Sequence, residues 1–213
     1  MEKTHRSKIN IISVGPGNKK YLTLEALNKI ECSNLIIGPS RFMSFAPNKY
    51  YIVPTNLVED TINIIAKYRK NEVSVLVSGD AGFYSISRFI VDRFGKDNVE
   101  VIPGISIVQA FSAYLRCNWS DMNFFSFHGK DDIDIILKDY IGEKLFILCD
   151  NINAIKSFLI KSKMLLSNFN IWVCQNFSLS DELIINLKDV NDLSNLKDDS
   201  LKIMVLIPKR EDR

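Results

Sequence analysis

The residues best placed to do chemistry lie in short turns that each end an apolar run. Ile9-Asn10-Ile11-Ile12-Ser13-Val14 breaks at Gly15-Pro16-Gly17, Val73 to Val77 breaks at Ser78-Gly79-Asp80-Ala81-Gly82, and Val99 to Ile102 runs into Pro103-Gly104-Ile105-Ser106. Apolar runs of this length ended by glycine read as buried strands. Glycine at a strand end lets backbone approach a ligand closely, and the Asp80 carboxylate can accept hydrogen bonds or sit near a cation. Each turn also has a plainer alternative: an ordinary strand-to-helix turn at Gly15 to Gly17, a helix-capping aspartate at Asp80, a capping serine at Ser106. The spacing excludes two ligand motifs. Lys20 stands where the third glycine of a dinucleotide fingerprint would be, and no G-x-x-x-x-G-K phosphate loop is present. His128 follows another apolar run, where a lone histidine is more often structural than functional. His5 and His128 lack a ligand-spaced partner, so no protein metal site is expected.

The elements that must position these turns alternate between strand and helix. Thr23 can cap a helix to about Glu31, with Leu24 and Leu27 on one face. Asn34 to Ile37 is a further strand, and Leu57, Thr61, Ile62, Ile65 and Tyr68 recur at helical spacing. A helix follows the Asp80 turn to about Phe94. Ile105 to about Leu115 is predicted as a helix leading from one half of the chain to the other. The second half offers strands at Phe124 to Phe127, Leu145 to Leu148 and Ile171 to Cys174, with helices near 131–138 and 151–160 between them. Leu183 to Leu187 and Lys202 to Ile207 look extended and predict an antiparallel finish. Asp189 to Asp199 reads as a solvated loop. The expected architecture is α/β in two domains, residues 1–115 and 116–213. A mostly parallel sheet with helices on both faces is expected in the first, and a mixed sheet in the second.

Composition narrows the class. A length of 213 residues suits two compact halves of about 100 residues each. A formal charge of +2, with basic and acidic residues interspersed, argues against a nucleic-acid partner. Cys32, Cys117, Cys149 and Cys174 form no C-x-x-C pair and read as free buried thiols in a reducing compartment. The polar Met1 to Lys8 stretch lacks a signal-peptide core, and no apolar run nears the roughly 18 residues of a membrane span. A soluble cytoplasmic protein is expected.

Taken together, the turns resemble the tetrapyrrole methylase family over nearly the whole chain. Ser13-Val14-Gly15-Pro16-Gly17-Asn18 resembles its G-x-G-P-G-D loop, Gly79-Asp80-Ala81 its G-D-P loop, and Pro103-Gly104-Ile105-Ser106 its P-G-x-S/T segment. Ser78-Gly79-Asp80-Ala81-Gly82-Phe83-Tyr84-Ser85 is close to S-G-D-P-G-F-Y-S, and Ser126-Phe127-His128-Gly129-Lys130 to S-L-H-G-R. Those two forms belong to the branch that methylates carbon 5 of cobalt-precorrin-7. Gly38-Pro39-Ser40-Arg41 matches that branch's G-S-x-R pattern more loosely. Three departures stand out: Ser13 for the first glycine, Asn18 for the loop acid, and Ala81 for the proline after Asp80.

The resemblance implies S-adenosylmethionine as cofactor, held in a cleft between the two domains, and an anionic tetrapyrrole of the cobalamin pathway as substrate. It implies cofactor contacts at Pro16, Gly79, Asp80, Phe83, Ser106 and Ile107. In the second half it points less securely to Leu148, to Cys174 or Gln175, and to Ile203 or Met204. Substrate contacts fall to Gly15, Gly17, Arg41, His128 and Lys130, with Arg88 and Arg116 as further basic anchors. His128 would bind a carboxylate or help move a proton. Any cobalt would belong to the substrate. A homodimer is implied, and the enzyme that methylates carbon 15 and decarboxylates a side chain is expected on a separate protein. The rivals are a family member acting elsewhere, a nucleotide-binding α/β module without catalysis, and an adapter with a dead site.

Overall fold

The computed structural model of the chain describes residues 8–127, 133–140, 142–161, 165–198 and 200–209. His128, Gly129 and Lys130 therefore lie outside the described residues. The chain divides into two compact units between Ala110 and Phe111.

The first unit begins with β1 (Ile9–Ser13), α1 (Leu24–Cys32), β2 (Leu35–Ile37), β3 (Tyr50–Ile52) and α2 (Glu59–Tyr68). It continues through β4 (Val73–Val77), α3 (Ser87–Phe94) and β5 (Val99–Ile102) into α4 (Ile107–Leu115), within which the division falls. Strands β1 and β4 are buried at every residue. Parallel strands covered on both faces read as unbroken apolar runs, which is why the sequence marks them well. All pairings in this sheet are parallel, in the order β3-β2-β4-β1-β5. On one face Ile9, Ile11, Val73, Val75 and Val77 pack against Ile65 of α2 and Ile90 and Phe94 of α3. On the other, Ile12, Ile36, Leu76 and Ile102 pack against Ala26 and Ile30 of α1 and against Phe42 and Phe45 of a 3-10 turn at Ser40–Phe45.

Two details differ from the sequence reading. Thr23 caps α1 by accepting the Ala26 N–H at 3.1 Å, but the helix buries Ala26 and Ile30 and leaves Leu24 81% exposed. A small residue lets a helix lie close to a sheet, so the larger leucines are turned outward. The edge strand β3 has only three residues, exposed or half-buried, and is not among the expected strands because Tyr50-Tyr51-Ile52-Val53 is too short a run to stand out.

The second unit holds β6 (Asn123–Ser126), α5 (Ile133–Asp139), β7 (Leu145–Cys149), α6 (Ile152–Lys161), α7 (Leu165–Asn168), β8 (Phe169–Gln175), β9 (Leu183–Leu187) and β10 (Lys202–Pro208). Its sheet order is β6-β7-β10-β8-β9, with β6 parallel to β7 and the other pairs antiparallel. Ile136, Ile155, Phe158 and Leu165 from the helices cover one face, over Ile147, Ile171, Val173 and Met204. The polar stretch after β9 is more than a solvated loop. Asp189 and Asp192 form a capping box on a 3-10 turn at Val190–Asn195, and Leu193 is buried in the same core. Leu196 is buried with it and Val190 packs against the same core, but three apolar residues among polar ones are too few to mark an element in the sequence.

The cysteines also divide. Cys149 and Cys174 are buried and Cys117 is half-buried, while Cys32, at the end of α1, is exposed, against the expectation that all four are interior.

Candidate active site

Because β2, β4, β1 and β5 are adjacent and parallel, the turns that follow them all leave from the same edge of the sheet. The chain passes from β1 through α1 on one face and from β4 through α3 on the other, so the two neighbouring strands send their connections to opposite faces. That reversal opens the edge at which open α/β sheets bind ligands.

The first two turns are joined directly. Gly15 and Gly79 form an antiparallel bridge, with Gly15 N–H donating to the Gly79 carbonyl at 3.2 Å and Gly79 N–H to the Gly15 carbonyl at 2.7 Å. Gly15 has φ +73° and a Cβ there would lie 2.8 Å from Tyr21 Cβ, so conformation and space both require glycine. The third turn is tied to the second through Asp80. Its Oδ2 accepts the Gly104 N–H at 3.0 Å and its Oδ1 the Gly82 N–H at 2.8 Å. Asp80 thus holds two turns together, a role beyond the capping alternative. Ser106 forms a capping box with Gln109 at the start of α4: Gln109 N–H donates to Ser106 Oγ at 3.2 Å, and Ser106 N–H to Gln109 Oε1 at 2.8 Å.

Around this cluster lie the remaining first-unit candidates. Pro16, Phe83 and Ile107 are half-buried, and Gly17 is buried. The Phe83 ring stands edge-on to Tyr84, with centroids 4.8 Å apart. Tyr84 belongs to the Ser78 to Ser85 pattern but is given no site role by the sequence. It is 56% exposed yet holds φ +46°, a left-handed conformation that is an outlier for a bulky side chain and marks the turn as a constrained one. Asn18, where the family has an acid, keeps the turn without the charge: its side chain accepts the Lys20 N–H at 3.0 Å and caps a 3-10 turn at Lys19–Tyr21.

Arg41 sits on the 3-10 turn that follows β2, with its guanidinium carbon 4.6 Å from the Phe42 ring centroid. Its side chain reaches solvent, but protein crowding the guanidinium lowers its pKa from the ordinary value, with Tyr51 opposing the shift. Among the described residues it has no carboxylate partner. A guanidinium in that condition is suited to an external anion. Arg88 lies over the Phe89 ring on α3, and Arg116 follows α4 with φ +55°.

In the second unit, register decides which candidates share a face. Leu148 of β7 is opposite Ile203 of β10, which is opposite Cys174 of β8, so the three form one row across the sheet. The row lies on the face away from the helices. Gln175 and Met204 point the other way. Met204 is in the helix-covered core, and Gln175 Oε1 accepts the Lys197 N–H at 2.7 Å. Burial, with Glu182 adding to it, pushes the Cys174 thiol up to about 12, so it offers an apolar surface rather than a nucleophile. Among the described residues no group of three or more His, Cys, Asp or Glu side chains could hold a metal, and no helix is long and apolar enough to cross a membrane.

Comparison with known proteins agrees with this architecture. A probable cobalt-precorrin-7 C(5)-methyltransferase of Methanocaldococcus jannaschii is 28% identical over 196 residues, spanning 88% of this chain and 92% of that one. The cobalt-precorrin-7 C(5)-methyltransferase of Salmonella typhimurium is 30% identical over 126 residues, spanning 57% of this chain and 62% of that one. The crystal structure of a cobalamin biosynthesis precorrin-6Y methylase from Archaeoglobus fulgidus superposes with a TM-score of 0.72, covering 93% of this chain and 97% of that one at 21% identity, a likeness of fold. The profile of the tetrapyrrole (corrin/porphyrin) methylases matches residues 8–191, the stretch that contains every one of the joined turns, and the chain belongs to that family.

Proposed function

We propose that this chain is an S-adenosylmethionine-dependent methyltransferase that methylates carbon 5 of cobalt-precorrin-7 or precorrin-7 in cobalamin biosynthesis. The observation that carries the reading is the match along nearly the whole chain to an archaeal relative of that name, joined to the convergence of three glycine turns on one sheet edge. The donor set fits the cofactor. Residues 13–18, 78–85 and 103–107 contain no lysine or arginine and one acid, Asp80, a lining suited to a sulfonium cation and an uncharged nucleoside rather than to a phosphate. Pro16, Gly79, Asp80, Phe83, Ser106 and Ile107 would hold it, and Leu148, Ile203 and Cys174 are the second unit's candidates.

When bound, S-adenosylmethionine supplies an electrophilic methyl group with a neutral thioether as leaving group. The protein's part is alignment and exclusion of water, because the ring carbon brings its own electron pair. The bridged Gly15 and Gly79 hold the turns rigid, and the half-buried Pro16 and Phe83 keep water away. Arg41 and Lys130 anchor ring carboxylates, Gly15 and Gly17 let the ring approach, and His128 binds a carboxylate or carries a proton. A cytoplasmic homodimer working with a separate carbon-15 enzyme completes the proposal.

Purified protein incubated with methyl-labelled S-adenosylmethionine and each precorrin, followed by NMR of the product, tests it. A new methyl at carbon 5 is expected. A methyl at another ring carbon reassigns the substrate, and absence of both turnover and cofactor binding removes the enzyme reading.

A further inference from the structure

We infer that the hydrogen bond from the Ala81 N–H to the Ser13 hydroxyl is a latch that fixes the Asp80 turn against the first turn, making Ser13 a positioning residue for the cofactor. The inference rests on the cofactor reading above. Ser13 is the last residue of β1 and fully buried, and its Oγ accepts the Ala81 N–H at 2.9 Å. Ala81 is itself only 2% exposed, so water cannot replace either partner. A buried donor or acceptor left unpaired is costlier than the bond is worth when made.

Space for the serine comes from the third turn. A Cβ on Gly104 would lie 2.5 Å from Ser13 Cβ and 2.9 Å from the Gly79 carbonyl oxygen, so a side chain at 104 and the serine at 13 could not coexist without movement. Gly104 also gives its N–H to Asp80. Ser13, Ala81, Gly104 and Asp80 are therefore one connected unit linking all three turns. The Ala81 carbonyl extends it by accepting from the Ser87 hydroxyl at the start of α3.

Two of the three departures from the family's loop patterns fall at the two ends of this one bond. Glycine has no hydroxyl and proline has no N–H, so the glycine and proline of the family form leave nothing unpaired. Serine and alanine together pair that N–H with that oxygen, but either change alone would leave one of the two without this partner. A proline stiffens a turn by removing freedom from the unfolded chain, and a net buried hydrogen bond is an effect of similar size. One restraint stands in for the other, and the turn keeps its position.

The test compares the wild type with Ser13→Gly, Ala81→Pro and the double variant, by calorimetric affinity for S-adenosylmethionine and by thermal unfolding without ligand. Each single change is expected to weaken binding roughly tenfold and lower the melting temperature, while the double returns to within about twofold of the wild type. Effects that simply add in the double variant overturn the latch. Unchanged affinity in folded Ser13→Gly overturns the positioning role. Should a single variant fail to fold, hydrogen exchange of the Ala81 amide in Ser13→Ala decides, protection being lost if the bond exists and retained if it does not. A wild type that binds no cofactor sinks the functional reading instead, and coupling in the melting temperatures still judges the pair.

Discussion

Asp80 accepts the Gly104 N–H at 3.0 Å across 24 positions of sequence, and this contact joins the turn after β4 to the turn after β5. With the Gly82 N–H on its other oxygen, the carboxylate is committed to the fold of the site as much as to any ligand.

Asp80→Ala removes both acceptors. Hydrogen bonds to a charged group are worth about 1.5–3 kcal/mol each, so cofactor affinity should fall at least tenfold, which is about 1.4 kcal/mol, with a lower melting temperature. Asp80→Asn, with one acceptor oxygen left, should fall between. Titration calorimetry reads both, and unchanged affinity in Asp80→Ala takes Asp80 out of the site.

Arg41 is set apart from the glycine turns by its place after β2. Arg41→Ala should leave cofactor affinity within about twofold while lowering tetrapyrrole turnover at least about tenfold. Arg41→Lys should recover only part, because it keeps the charge without the two-pronged geometry. Steady-state rates over a range of ring concentrations, set beside cofactor titrations, separate the two. Normal turnover in Arg41→Ala assigns the arginine to the surface.

At the opposite end of the sheet Lys29 Nζ lies 2.9 Å from Glu100 and 3.5 Å from Glu72. The hydrogen bond from Lys29 holds the Glu100 carboxyl below its ordinary value, against burial, which raises it. A carboxyl depressed in the folded state adds stability above its ordinary pKa and loses it as pH falls through the folded value. Burial works to lower the Lys29 pKa, but hydrogen bonding and charge from Glu100 outweigh it, so its contribution is lost only at high pH. Lys29→Met should therefore flatten the acid limb of the stability profile. The effect should stay within about 1 kcal/mol, because the pair is partly solvated. Urea unfolding from pH 3 to 7 measures it, and an unchanged acid limb would show that the pair contributes nothing.

The thiols give a quick check of the packing. Burial raises the Cys149 pKa, with Asp150 adding and Lys202 opposing, and Cys174 is raised likewise. In native protein at pH 8 a thiol reagent should modify Cys32 rapidly and leave Cys149 and Cys174 unmodified until denaturant is added. Mass spectrometry of the labelled peptides reports this directly, and early modification of Cys174 would contradict its burial.

Sequence by itself determined the buried strands and the glycine turns of the first unit, though not the short edge strand β3. Strands buried on both faces must be apolar throughout, as β1 and β4 are, and glycine marks the points where backbone turns sharply. It also placed Arg41 after a strand and identified the family through its loop patterns. The structure alone decided what those turns touch. The Gly15 to Gly79 bridge, the Asp80 to Gly104 bond and the Ser13 to Ala81 bond all join residues far apart in the chain, and no local pattern records such pairs. Register, likewise non-local, put Cys174 rather than Gln175 in the row with Leu148 and Ile203, since one residue of slip reverses every side chain on a strand. Close packing chose Ala26 over Leu24 and Leu27 beneath α1, because how near a helix can approach a sheet depends on the neighbours that only folding supplies.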